Sequence, residues 1–111
     1  MSKTKKIWST YTADAVKLLT ATIRAERKKR KMTEAELAER IGVSRDFIHR
    51  MEKGDMACAI GSVFEAAHMV GIQLFDMGPN RLTSQLSQIE EKLTLLPKAI
   101  HKKKKVINDD F

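Results

Sequence analysis

The sequence predicts an all-α fold, and three observations carry that expectation. Leu, Ala, Glu, Lys, Arg and Met recur along the 111 residues, all of them good helix formers, against only two prolines and five glycines. Apolar residues fall at spacings of three and four. Helix-start signals stand directly before such stripes near Thr12, at Thr33 and at Ser44. Hydrophobic residues make up 42% and charged residues 32%, which suits a folded domain plus tails better than a disordered chain. A core of this size buries only about 60% of its unfolded surface, so self-association would add stability.

Residues 1–11 read as a flexible basic arm. The first helix is expected to start near Thr12, with Tyr11 and Val16 at the spacing of a hydrophobic staple, and to bury Val16, Leu19 and Ile23. It runs on through Arg24 into a basic stretch ending at Lys31. Thr33 with Glu36 forms a capping box, and Met32 with Leu37 repeats the staple; Leu37, Ala38 and Ile41 face inward. Gly42 fits the left-handed position that ends a helix. Ser44 caps the next helix, with Val43 and Ile48 as its staple, Ile48 and Met51 inside, and Gly54-Asp55 closing it. Two short helices joined by a glycine-bearing turn make a helix-turn-helix unit.

A fourth helix is expected from about Ile60 to Val70, with Val63, Phe64, Ala67 and Val70 on one face and a stop at Gly71. Ile72 to Phe75 fits either an extended segment or a last packing contact. After the Gly78-Pro79 turn, Asn80 is placed to cap a fifth helix over 80–96. Its apolar positions are Leu82, Leu86, Ile89, Leu93 and Leu96, a heptad seam two repeats long, and Pro97 ends it. Residues 12–76 thus form the core domain, 80–96 a helix for dimer or partner contact, and 97–111 a basic tail.

The formal charge of +7 is unevenly placed. Residues 12–76 hold eleven Lys/Arg against ten Asp/Glu, whereas residues 1–11 carry three lysines and residues 77–111 carry seven basic against four acidic side chains. Basic arms on a near-neutral body suit phosphate contact, because Lys and Arg displace counterions condensed on nucleic acid. Lys-rich ends that only keep the chain soluble account for the same charges equally well. Cys58 is the one cysteine, which rules out an internal disulfide and suits a reducing compartment. The N-terminal lysines lack an apolar run behind them, and no stretch has the ~18 apolar residues of a membrane span. The expected location is the cytoplasm.

The run from Ile23 to Asp55 resembles the Cro/phage-repressor (XRE) helix-turn-helix family. The matching features are Ile23-Arg24, Arg27, Thr33, Leu37-Ala38, Gly42-Val43-Ser44, Ile48 and Glu52-x-Gly54, and the resemblance covers roughly residues 12–72. It implies a five-helix lambda-repressor-like DNA-binding domain whose second motif helix enters the major groove N-terminus first. Carried over by position, Ser44 touches phosphate while Arg45, Asp46, His49 and Arg50 face base edges; Thr33 and Lys53 complete the DNA-facing set. Arg45 is the lead reader, since arginine held bidentately by guanine is the commonest specific contact. Asp46 accepts from a cytosine amine or orients Arg45. The alternative for all of these is a solvated helix face. Arg27 and Glu52 match positions that the family pairs in a partly buried salt bridge, a structural role. Two departures stand out: Glu34 occupies a position where the family usually places a phosphate-anchoring glutamine, and Phe47 replaces a small polar residue.

No enzymatic constellation is found: His49, His68 and His101 are scattered, and no phosphate-cradling glycine loop exists. Ser44 and His49 lack the orienting third group of a nucleophile pair. No cofactor and no metal are expected, and Cys58 is read as inert. The leucine seam, the Leu96-Pro97 break, the lysine run and the Asp109-Asp110-Phe111 ending are similar to HipB-like regulators encoded beside HipA-type kinase toxins. That resemblance implies a dimer on a palindromic operator in double-stranded DNA, with Phe111 as a toxin-docking anchor, Lys102 to Lys105 as a tether, and Leu86, Ile89 and Leu93 on a partner-binding face. The alternatives are a stand-alone phage-type repressor, and a toxin inhibitor whose helix-turn-helix no longer reads DNA.

Overall fold

A computed structural model describes residues 6–102. Its helices are α1 (Thr10–Lys29), α2 (Glu34–Ile41), α3 (Arg45–Glu52), α4 (Ile60–Met69) and α5 (Pro79–Thr94), with a single 3₁₀ turn at Leu74–Asp76. Among the described residues there is no strand. The chain divides between Asp76 and Met77 into two units: α1 to α4 with the 3₁₀ turn, and the segment holding α5.

The caps explain the helix boundaries of the first unit. Ser9, not a residue near Thr12, starts α1: its hydroxyl accepts from the Thr12 amide at 3.2 Å. Tyr11 therefore lies inside the first turn and is 84% exposed, so the Tyr11–Val16 staple does not form. At its other end α1 stops at Lys29 rather than Lys31. Lys31 turns into the left-handed region (φ 56°), and the Met32 amide returns to the Arg27 carbonyl at 3.1 Å.

At α2 both halves of the capping box are made: the Glu36 amide donates to Thr33 Oγ1 and the Thr33 amide to Glu36 Oε1, each at 3.0 Å. Gly42 (φ 75°) reverses the chain, letting the Val43 amide donate to the Ala38 carbonyl at 3.0 Å. Two residues later Ser44 accepts from the Phe47 amide at 3.0 Å and starts α3. With the turn this short, α2 and α3 must pack against each other.

Ile23, Leu37, Ile48, Met51 and Val70 are fully buried and come from α1, α2, α3 and the end of α4; Ala66 and Ala67 let the backbone of α4 approach them closely. Truncating Leu37 or Ile48 to Ala would cost about 2–5 kcal/mol. Phe64 is only half-buried and meets the Phe75 ring edge-on at 6.1 Å, while Ile72 and Leu74 pack against the core. Ile72 to Phe75 is thus a packing turn, not a strand.

The second unit is simpler. Gly78 is the N-cap of α5 and Pro79 its first residue, a position where the missing proline N–H is harmless. Asn80 lies one residue inside and does not cap. The helix ends at Thr94, so Leu96 of the seam falls beyond it. Leu86, Ile89 and Leu93 are each more than half exposed.

Candidate nucleic-acid interface

The α3 helix is anchored on one side only. Ile48 and Met51 are buried and Phe47 is half-buried, which leaves Arg45, Asp46, His49, Arg50 and Lys53 exposed along the opposite side. These five of the seven expected DNA-facing residues share one helix face. Ser44 is exposed at its cap, and Thr33 is exposed at the cap of α2 with its hydroxyl and amide both engaged in the capping box.

What sets the tilt of α3 is a buried ion pair at its far end. Arg27 donates from Nε to Glu52 Oε2 at 2.7 Å and from Nη2 to Glu52 Oε1 at 2.8 Å, while Nη1 donates to the Met32 carbonyl at 2.7 Å. The two side chains are 7% and 2% exposed. The hydrogen bond to Glu52 holds the Arg27 guanidinium above its already high pKa, outweighing the cost of burial. The pair ties α1 to the last turn of α3, and its third bond ties both to the loop entering α2. Among the described residues no buried side-chain polar atom lacks a partner.

Each arginine on the outward face has a carboxylate beside it. Asp46 lies 3.4 Å from Arg50 and not on Arg45, contrary to one of the two roles expected for it. The reason is helix geometry: residues four apart meet on a helix surface, whereas neighbours in sequence diverge. Arg50 also reaches Asp55 at 3.0 Å and lies over the Phe47 ring at 5.8 Å. Phe47, the second departure from the family pattern, is thereby a platform for an outward-facing arginine. Asp55 is itself fixed by the Ala57 amide at 2.8 Å, and that bond, then Arg50, holds its carboxyl below the usual range.

Glu34 supplies the remaining partner. It opens α2, and its side chain crosses to α3, where Oε2 lies 3.1 Å from His49 Nδ1 and Oε1 3.6 Å from Arg45 Nη2. Burial pushes its carboxyl up, but the His49 contact and the charges of Arg27 and Arg45 outweigh that and hold it low. Sequence reasoning noted Glu34 only as a departure from a phosphate-anchoring glutamine. Its cross-helix pairing depends on the close packing of the first turns of α2 and α3, which no linear spacing displays. Asp55 was missed as well; its signal was a carboxylate five residues after Arg50, just past Gly54.

Elsewhere, Arg24, Lys28 and Lys29 are exposed on the second half of α1 and Arg30 and Lys31 in the turn after it, with Arg30 held by Glu26 at 2.6 Å. Cys58 lines an apolar groove with Leu19, Val63 and Phe64, and burial pushes its thiol up, away from the reactive thiolate. No group of three or more His, Cys, Asp or Glu among the described residues could hold a metal ion. No helix among them is long and apolar enough to cross a membrane. Phe111 and Lys103 to Lys105 lie outside the described residues, and Lys102 is exposed.

Comparison with known families decides the class. Residues 23–73 match the family model described as Helix-turn-helix, a span that runs from the buried Ile23 to the chain just before the 3₁₀ turn. Residues 23–73 are a Cro/phage-repressor (XRE-type) helix-turn-helix domain. No curated protein and no solved structure matched the chain. In the helix-turn-helix domain α2 and α3 are the paired helices. A chain built on this domain is a DNA-binding transcriptional regulator.

Proposed function

We propose that this regulator is a repressor that binds a palindromic operator as a homodimer, reading bases with Arg45, Asp46, His49 and Arg50. The observation that carries the reading is the one-sided anchoring of α3: Ile48, Met51 and Glu52 are buried while the four readers stand exposed on the other side. Ser44, Thr33 and Lys53 contact phosphates around them. Dimers of helix-turn-helix proteins set their recognition helices about 34–36 Å apart, one turn of DNA. The seam of α5 supports self-pairing, because Leu86, Ile89 and Leu93 are each more than half exposed and gain by meeting a second copy.

Footprinting of the DNA upstream of the protein's own gene tests this. The expected result is two symmetric protected half-sites, with occupancy weakened in a Leu86→Asp, Leu93→Asp variant. A single asymmetric site, or occupancy unchanged in that variant, would count against the dimeric reading.

In its finer form the proposal makes the chain the HipB-like component of a toxin–antitoxin operon, cytoplasmic and autoregulating, with a HipA-like kinase as partner. The support is the succession of leucine seam, proline break and lysine run. Full-length protein should then co-purify with a kinase that a chain lacking Lys98–Phe111 does not retain. Identical partners for both chains would count against docking through the tail, and no kinase with either chain would leave a stand-alone repressor.

A further inference from the structure

The outward face of α3 is electrically balanced, which is unexpected for a surface that must meet a polyanion. Arg45, Arg50 and Lys53 bring three positive charges, and Glu34, Asp46 and Asp55 bring three negative ones within the same constellation. Asp46 and Asp55 both serve Arg50. Glu34 alone serves Arg45 and His49, and it does so from another helix.

The environment of Glu34 differs from that of an ordinary surface acid. Its side chain is 19% exposed, whereas that of Arg45 is 72% exposed. The carboxylate is therefore held at the floor of the face while the guanidinium stays accessible. Such a group has two physical effects on DNA binding. It opposes the approach of a phosphate, since like charges at a few ångströms repel through a partly desolvated medium. It also restrains Arg45 and His49, so that neither swings freely to the nearest backbone oxygen. Both effects fall on contacts to phosphate, which carry no sequence information, and spare hydrogen bonds to base edges.

We infer that Glu34 is a specificity-determining positioning residue, which holds Arg45 and His49 for base contact and disfavours complexes made through phosphates alone. The inference rests on the reading of α3 as the groove-entering helix. The α3 face thereby gives up non-specific affinity and gains discrimination.

The test compares wild-type full chain with Glu34→Gln, which keeps the shape and removes the charge. Two probes are used: a duplex selected by the wild-type protein from a random library, and poly(dI–dC) as non-specific DNA. Glu34→Gln should bind poly(dI–dC) several-fold more tightly and the selected duplex with little change, so that the ratio of affinities falls. Its salt dependence on poly(dI–dC) should steepen by about 0.9 in log–log slope, the value for one additional phosphate contact. A merely structural role would not change that slope. In an Arg45→Ala, His49→Ala background the effect of the substitution on the ratio should shrink to the part that charge repulsion alone supplies, and Glu34→Ala should reproduce Glu34→Gln in the native background.

An unchanged ratio and slope, or equal weakening on both probes, overturns the role of Glu34 while leaving the reading helix in place. Failure of the wild-type chain to select any duplex overturns the reading itself, and the role of Glu34 with it.

Discussion

Arg27 on α1 grips Glu52 at the end of α3 through two parallel hydrogen bonds of 2.7 and 2.8 Å, both side chains being buried. Two-point pairing of this kind fixes orientation as well as distance, because the planar guanidinium meets the carboxylate edge to edge. The position of α3 thus depends on a buried ion pair set in a mostly apolar core.

Removing one member of that pair strands the other. Arg27→Ala or Glu52→Ala should lower stability by about 3–5 kcal/mol, measured by denaturant unfolding. An Arg27→Met, Glu52→Leu double variant should lose much less, since no uncompensated charge remains. If either single variant unfolded at the wild-type midpoint, the pair would carry no structural weight.

Lys31 pays for the turn between α1 and α2 by taking a left-handed conformation, φ 56°. A non-glycine residue there is strained by roughly 1–2 kcal/mol, partly offset in glycine by its freer unfolded state. Lys31→Gly should therefore stabilise the protein by about 0.5–1 kcal/mol and raise its melting temperature. A lower melting temperature would contradict this account of the turn.

How much of this was legible in the sequence follows from what each feature depends on. The caps at Thr33 and Ser44, the stop at Gly42 and the inward Leu37, Ile48 and Met51 are local, and local patterns display them. The start of α1 was misread because Tyr11 and Val16 mimic a staple while Ser9, a stronger acceptor, stands two residues earlier. The cross-helix bonds of Glu34 and the Asp55–Arg50 contact were hidden for a different reason: they exist only once α2, α3 and the loop after α3 have packed. The family pattern supplied the Arg27 and Glu52 positions, which 25 residues of separation would otherwise conceal.

Acid should weaken the fold from a definable point. The carboxyl of Asp55 is held low by the Ala57 amide and then Arg50, that of Glu36 by the Thr33 amide and hydroxyl, and that of Glu34 by its neighbours despite burial. A carboxyl whose pKa is lower in the folded than in the unfolded chain contributes stability above its unfolded value, about 4, and loses it as pH falls through the folded value. The melting temperature should stay level with respect to these groups from pH 7 to about 5 and fall below about 4. Glu36→Gln should flatten part of that fall. A melting temperature that rose on acidification below about 4 would reverse the assigned sign.

The central claim is that α3 reads bases and that Arg45 leads. Binding of the wild-type and Arg45→Ala chains to a duplex selected from a random library tests it most directly. Arg45 is 72% exposed, so the variant should keep the wild-type melting temperature. It should lose about 1–3 kcal/mol of affinity for the selected duplex, and its preference should relax at one base pair of each half-site. Affinity and sequence preference both unchanged in Arg45→Ala would contradict the account.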